Sequence, residues 1–209
     1  MVGETRSGKS WGSLSAAYSL TRPENLLRIG VDPIKPRFSP IKHLRFDPGG
    51  FLAAMDQGYP KGSAFVWDDV GKGGSSRDWQ KTANKHMGHV LQTCGYRNYF
   101  VILTVPDSGF IDKRVRKLIH FTFMFTGRHL KAGSEAIPYW VKNSPWKEEP
   151  YRIHPRVWVD GERYEIDKVL FKRPPQTIIN EYQWMEKKAK DKVFTTARKE
   201  IAKTEAAES

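Results

Sequence analysis

Cysteine is nearly absent from this 209-residue sequence, in which Cys94 stands alone. A single cysteine excludes an internal disulfide framework and any zinc site built from several cysteines. Long apolar runs are also missing, since even the stretch from Tyr99 to Val105 is far too short to cross a bilayer. The first ten residues, MVGETRSGKS, contain no apolar segment that could serve as a secretory signal. These absences predict a cytoplasmic protein with no membrane segment in this chain.

Acidic residues are the scarcer charged class. There are 23 Asp and Glu residues against 35 Lys and Arg, which gives a formal net charge of +12. Hydrophobic residues make up 39% and aromatic residues 12% of the chain, enough for a core, so a fully disordered protein is excluded. The positive charge favours an acidic polymer or a phosphate-bearing ligand as the partner, and it says nothing about the fold.

The first 130 residues alternate helix-like and strand-like segments, which predicts a parallel α/β sheet flanked by helices. Helices are predicted at 11–19, 51–57, 79–93 and 110–118. Strands are predicted at 25–31, 64–70, 98–105 and 120–126. We therefore assign 1–130 to a core domain.

The composition changes after residue 130, where Pro and Trp become frequent. Asp160-Gly161 favours a tight turn, which predicts a β-hairpin within a small appendage at 131–173. After this, apolar residues fall three or four apart from Ile178 to Ile201, the pattern of an amphipathic helix. We assign 174–209 to this helix and to a disordered tail from residue 204.

The appendage mixes aromatic and basic side chains between Tyr139 and Tyr164. Aromatic rings beside cations suit single-stranded nucleic acid. The simpler interpretation is a small aromatic core beneath the hairpin. The sequence favours the second without excluding the first.

A phosphate-binding motif, G-x-x-x-x-G-K-[ST], stands near the start as Gly3-Glu4-Thr5-Arg6-Ser7-Gly8-Lys9-Ser10. The two glycines let the backbone wrap so that successive N–H groups face the phosphates, and the following helix adds its positive end. Lys9 supplies a compact charge for the β- and γ-phosphates, and the Ser10 hydroxyl can coordinate Mg²⁺. We assign the whole run and the following Trp11 to nucleotide binding.

The partner of such a loop is an acid at the end of a buried strand, and Phe65-Val66-Trp67-Asp68-Asp69 supplies it. We expect Asp68 to hold Mg²⁺ through water. The next acid, Asp69, is expected to polarise the attacking water as the catalytic base.

The order of these elements resembles the additional-strand, RecA-like branch of P-loop ATPases. The segments Leu91-Gln92-Thr93, Asn98 to Pro106 (NYFVILTVP) and Phe110 to Leu118 (FIDKRVRKL) are similar to the FtsK–HerA group. Within it they look closest to zonula-occludens-toxin-like proteins and related ATPases of archaeal viruses and plasmids. The resemblance implies ATP hydrolysis by a homo-oligomeric ring, for example a hexamer, with DNA as the usual cargo. It also implies that Thr104 is the polar γ-phosphate sensor at the tip of its strand.

Two features depart from the family pattern. The family usually has Glu where this chain has Asp69, shorter by one methylene. Only Met1 and Val2 precede Gly3, where the fold requires a central strand. We therefore expect these two residues to form at most a stub between the strands ending at Thr104 and Thr126, in a chain that begins inside a longer protein.

Several weaker signals remain. A neighbouring subunit often supplies an arginine to the γ-phosphate, and the candidates are Arg77, Arg97, Arg114 and Arg116. The glycine-rich run 71–76 is expected to be a loop beside the nucleotide. His86 and His89 are three residues apart, but we expect no metal there, and Cys94 is interpreted as a small buried residue.

The sequence therefore predicts a Mg²⁺-dependent ATPase that couples hydrolysis to mechanical work, acting on DNA within a mobile genetic element. Three alternatives stay open: a virion assembly or extrusion ATPase, a non-catalytic nucleotide-binding switch, and a small-molecule kinase.

Overall fold

The computed structural model describes residues 1–33, 37–70, 88, 90–92, 94–129, 131–144, 146 and 149–208. Within these residues, none of the helices combines the length and the apolar character needed to cross a membrane.

Helices and strands alternate in the first half, and strands dominate the second. The helices are α1 (Lys9–Leu20), α2 (Pro23–Arg28), α3 (Pro40–His43), α4 (Pro48–Met55), α5 (Lys113–Arg116) and α6 (Gln176–Glu208), with 3₁₀ turns at Cys94–Arg97 and Ser108–Phe110. The strands are β1 (Leu44–Arg45), β2 (Ala64–Trp67), β3 (Phe100–Leu103), β4 (Phe121–His129), β5 (Gly133–Lys142), β6 (Tyr151–Ile153), β7 (Arg156–Val159), β8 (Glu162–Glu165) and β9 (Val169–Lys172).

A small parallel sheet of order β1-β2-β3 forms the first half of the fold. It has a hydrophobic cluster on each face because successive side chains of β2 point in opposite directions. Phe65 and Trp67 enter one cluster with Phe51 of α4. Val66 enters the other cluster together with residues of α1 and α6.

Val2 connects this parallel sheet to β4. It forms parallel bridges to Val105 on one side and to Met124 on the other. The Val2 N–H donates to Phe123 O at 2.8 Å, and Phe125 N–H donates to Val2 O at 2.8 Å. The expectation that Val2 forms a stub between these two strands is therefore confirmed.

An antiparallel sheet continues from β4. Its order is β4-β5-β6, with β9 pairing the other part of β5. The predicted strand at 120–126 thus belongs both to the parallel arrangement, through Val2, and to an antiparallel pair with β5, which lies in the predicted appendage. The predicted hairpin is formed by β7 and β8, and Asp160 and Gly161 both have positive φ at its turn, 52° and 84°.

Two predicted elements are wrong. The segment 25–31 was expected to be a strand, but its first residues lie in α2, where Pro23 stands at the first helical position, Glu24 in the first turn and Arg28 in the last. The extra strand beside β2 is β1, fifteen or so residues later in the chain. The predicted helix at 110–118 is reduced to a 3₁₀ turn and the four-residue α5, because Asp112 caps a new helix start by accepting from the Arg114 N–H at 2.8 Å.

The long helix α6 has 33 residues and follows Pro174-Pro175 as predicted. Its first turns are buried against the core through Ile178, Ile179 and Tyr182. Farther along the predicted apolar stripe, Met185 is half-buried against the same core, whereas Val193 and Ile201 are exposed, Val193 at 62%. The helix continues to Glu208, so the prediction of disorder from residue 204 is wrong for 204–208, where two Ala and two Glu residues are strong helix formers.

Candidate nucleotide-binding site

The phosphate loop ends directly at α1, which begins with Lys9. Gly8 adopts the left-handed conformation at φ 98°, which glycine reaches without steric cost. No described side chain caps the N terminus of α1. Its first N–H groups lack a side-chain partner at the end of the loop, an arrangement that suits an anion.

Lys9 folds back into its own loop. Its Nζ donates to Gly3 O and to Glu4 O, each at 2.6 Å, and the side chain is almost fully buried. The ammonium is therefore held at the centre of the loop, where the sequence predicts the phosphates. Glu4, Thr5 and Arg6 are exposed on its outer side.

The Asp68 carboxylate accepts hydrogen bonds from the side chains that surround it. Its Oδ1 accepts a hydrogen bond from Ser10 Oγ at 3.1 Å and from Thr104 Oγ1 at 2.6 Å. These three residues come from the phosphate loop, the end of β2 and the end of β3. Carboxyl ends of parallel strands meet at one edge of a sheet, and that topology brings them together.

Thr104 also fixes the neighbouring acid. Its Oγ1 accepts from the Asp69 N–H at 2.7 Å while donating to Asp68. Asp69 itself has a positive φ of 59°, an unusual conformation for a residue with a Cβ. The backbone turn at Asp69 is thus tied to the tip of the next strand.

Tyr182 of α6 reaches the same carboxylate from the far end of the chain. Its hydroxyl donates to Asp68 Oδ2 at 2.8 Å, and the ring is buried. The sequence analysis placed Tyr182 on the apolar stripe of a helix and did not assign it to the site. A tyrosine in an otherwise aliphatic stripe is the one sequence signal that marks it, since a buried phenol needs a hydrogen-bond partner.

Burial raises the pKa of Asp68, and the hydrogen bonds from Thr104, Tyr182 and Ser10 oppose that rise. Burial, reinforced by the negative charge of Asp68, raises the pKa of Tyr182. Tyr182 therefore stays protonated and acts as a donor. A divalent cation beside Asp68 fits this arrangement, because it would favour the carboxylate that burial disfavours.

Two buried hydroxyls near the loop lack partners among the described residues, Ser7 Oγ and Ser134 Oγ. A Cβ added to Gly8 would lie 2.6 Å from Ser134 Oγ and 3.1 Å from the Cβ of Arg128. Strands β4 and β5 therefore press directly against the loop. The sequence analysis placed Ser134 in the appendage and missed its position here.

The arginine candidates lie in different places. Arg97 precedes β3, at the opposite end of that strand from Thr104, where it donates to Met55 O at 2.6 Å and pairs with Asp56 at 3.0 Å. Arg114 lies at the start of α5, and Arg116 pairs with Glu149 at 3.3 Å. These pairings occupy Arg97 and Arg116 within this chain.

Several predictions lie outside the described residues. They concern Arg77, the loop at 71–76, most of the helix at 79–93, and His86 with His89; of Cys94, only the backbone is described.

Comparison with known proteins found a similar solved structure but no matching family model or curated protein. Among solved structures, the fold is similar to the crystal structure of the N-terminal domain of zonular occludens toxin from Neisseria meningitidis, with 12% sequence identity and a TM-score of 0.40. The match covers 79% of this chain and 92% of that chain. At these values the likeness carries no functional conclusion for this chain.

Proposed function

We propose that this chain binds ATP with Mg²⁺ through residues 3–11 and hydrolyses it. The observation that carries the proposal is the convergence of Ser10 and Thr104 on the buried Asp68 carboxylate, at 3.1 and 2.6 Å, beside a loop with the phosphate-binding pattern. A hydroxyl from the loop and an acid from the end of a buried strand are the two protein ligands that a phosphate-loop NTPase uses for its metal.

The order of the strands supports the same proposal. Across the sheet it runs β1, β2, β3, Val2 and then β4. This places the phosphate loop, which follows Val2, between the strand ending at Thr104 and β4. A P-loop NTPase of the additional-strand, RecA-like kind is the arrangement that this order supports.

The residues present fit a hard cation. Ser10 Oγ and an Asp68 oxygen would hold Mg²⁺, since hydroxyl and carboxylate oxygens are the ligands it prefers. When bound, the ion would neutralise charge on the β- and γ-phosphates. Lys9 would exchange its two loop carbonyls for phosphate oxygens. Asp69 would orient the attacking water. Thr104, whose hydroxyl is hydrogen-bonded to the Asp68 carboxylate and to the Asp69 N–H, would sense the γ-phosphate.

Calorimetric titration with Mg-ATP tests the binding step. Lys9→Ala is expected to lose most of the affinity, whereas Lys61→Ala, an exposed lysine away from the loop, is expected to match the unaltered chain. Asp69→Asn is expected to bind Mg-ATP and lose turnover. Undiminished binding by Lys9→Ala would remove the phosphate-loop assignment, and normal hydrolysis by Asp69→Asn would assign the base to another acid.

DNA is the second part of the proposal, and the second half of the fold supplies the observation that favours it. Two aromatic side chains of the appendage do not belong to a small core: Trp158 is 72% and Trp146 92% exposed, so the simpler sequence interpretation is wrong for these two. Lys142 Nζ lies 4.0 Å from the centroid of the Trp140 ring. Exposed rings beside cations offer stacking and phosphate contacts to a single strand.

Turnover measured with and without single- and double-stranded DNA separates the alternatives. We expect DNA to bind with an affinity that falls steeply as salt rises, and to stimulate ATP hydrolysis by a homo-oligomeric ring. Stimulation by lipid or coat protein in place of DNA would favour the extrusion ATPase. Binding of ATP with no turnover under any condition would favour the switch.

A further inference from the structure

Two guanidinium groups converge on the side chain of Trp11, the first residue after the phosphate loop. The Cζ atom of Arg128 lies 5.1 Å from the centroid of the Trp11 ring, and that of Arg173 lies 5.7 Å from it. Arg128 is part of β4, Arg173 directly follows β9, and Trp11 is in the first turn of α1. Three separate elements thus bring two positive charges to one ring beside the loop.

The two cations have no acidic partner in the described part of the chain. Arg173 donates to the neutral Gln176 Oε1 at 2.6 Å, and neither guanidinium forms an ion pair with a described carboxylate. Two positive charges beside one ring, without a described carboxylate to balance them, favour a negatively charged ligand next to that ring.

The position of Arg128 ties this pair to the phosphate loop. Its Cβ lies 3.1 Å from where a Cβ on Gly8 would be, next to Ser134 Oγ at 2.6 Å. Ser134 is only 1% exposed, and its hydroxyl has no described hydrogen-bond partner. A buried hydroxyl without a partner is costly, and a ligand oxygen at this point would satisfy it.

We infer that Arg128 and Arg173 form an anionic subsite that binds the α-phosphate of the nucleotide, while the loop binds the β- and γ-phosphates. The inference rests on the proposed function. In the proposed function Lys9 holds the β- and γ-phosphates. Trp11 follows Lys9 by two residues in the first turn of α1, so the arginines beside its ring would meet the next phosphate of the nucleotide. The planar guanidinium fork suits two oxygens of one phosphate.

Three probes separate this subsite from contacts with the base. ATP carries the α-phosphate and a base, tripolyphosphate carries three phosphates without a base, and pyrophosphate fills only the loop. For Arg128→Ala and Arg173→Ala we expect affinity for ATP and tripolyphosphate to fall about tenfold, the worth of one charge-assisted hydrogen bond. Affinity for pyrophosphate should stay within about twofold. Arg128→Lys keeps the charge and loses the planar guanidinium. Its affinity for ATP and tripolyphosphate should lie between those of the unaltered chain and Arg128→Ala.

The matched control is Arg156→Ala, which removes an exposed arginine paired with Glu165 in the β7–β8 hairpin and should leave all three affinities unchanged. Unchanged tripolyphosphate binding with weakened ATP binding would overturn the inference and assign the arginines to the base or ribose. Equal losses for all three probes, or no loss, would also overturn it. Failure of the proposed function looks different, because the unaltered chain would then bind none of the probes in a Lys9-dependent way.

Discussion

The Tyr182 hydroxyl donates a 2.8 Å hydrogen bond to Asp68 Oδ2 and so joins residues 114 positions apart in the sequence. Asp68 lies at the end of β2, and Tyr182 lies in the buried first part of α6. The C-terminal helix is therefore packed onto the acid that is proposed to hold Mg²⁺. Any movement of α6 changes the surroundings of that carboxylate.

Tyr182→Phe should lower the free energy of unfolding by about 1–3 kcal/mol, because it removes the donor from a buried charged acceptor. Loss of this donor also raises the pKa of Asp68 further, so affinity for Mg-ATP should fall at neutral pH. Urea unfolding and calorimetric titration measure the two effects. Tyr151→Phe changes an exposed tyrosine in β6 and serves as the control. An affinity equal to that of the control would show that the Tyr182 hydroxyl does not support metal binding.

Thr104→Val should cost about 2–4 kcal/mol of stability, because it removes both the donor to Asp68 and the acceptor for the Asp69 N–H. Turnover should fall more than ATP affinity, since the position of Asp69 loses its anchor. Thr104→Ser keeps the hydroxyl and should retain most of both properties. Equal turnover by the Val and Ser variants would show that the hydroxyl has no part in hydrolysis.

Short sequence patterns predicted two parts of the site. The loop from Gly3 to Ser10 and the acid after β2 are recognisable because their chemistry needs fixed residue types at fixed spacing. Thr104 entered the sequence analysis only through the family resemblance, and its contact with Asp68 is explained by the rule that parallel strands end at one edge.

The remaining features depend on tertiary contacts. Whether Tyr182 packs on its own domain, and against which residue, is decided by the fit of α6 against the sheet. The strand predicted at 25–31 failed because an apolar run fits a strand or a short helix equally well, and Pro23 decided the outcome. No sequence pattern predicted that Arg128 and Arg173 lie beside the loop, because β4 and β9 are brought together only by their pairing with β5.

His43 should make the protein less stable in mild acid. It is almost fully buried against the rings of Phe38, Tyr59 and Phe65, and burial lowers its pKa from 6.5 to about 4. Between these two pH values the unfolded chain binds a proton that the folded chain does not. The free energy of unfolding therefore falls as pH drops from 6.5 towards 4, by up to about 3 kcal/mol.

Urea unfolding at a series of pH values measures this dependence. His43→Phe keeps a ring and removes the titrating group, so its curve should be flatter across that range whatever its absolute stability. His120→Phe changes an exposed histidine and should keep the slope of the unaltered chain. If His43→Phe retains that slope as well, other groups cause the loss of stability in acid.

Gly12→Ala should destabilise the protein, although the same change in an exposed helix stabilises by up to about 1 kcal/mol. A Cβ on Gly12 would lie 2.1 Å from Cζ of the Phe125 ring, so α1 can approach β4 this closely only because the position has no side chain. The resulting overlap should cost about 1–3 kcal/mol net, through displacement of the ring or of the helix. Because α1 begins at the phosphate loop, ATP affinity should fall together with stability.

A double variant that combines Gly12→Ala with Phe125→Leu tests this explanation. Phe125→Leu removes the ring and should recover part of the loss, so the double variant is expected to be more stable than the sum of the single changes predicts. Strict additivity of the two changes would show that Gly12 and Phe125 do not constrain each other, and the position of the loop would then be set elsewhere.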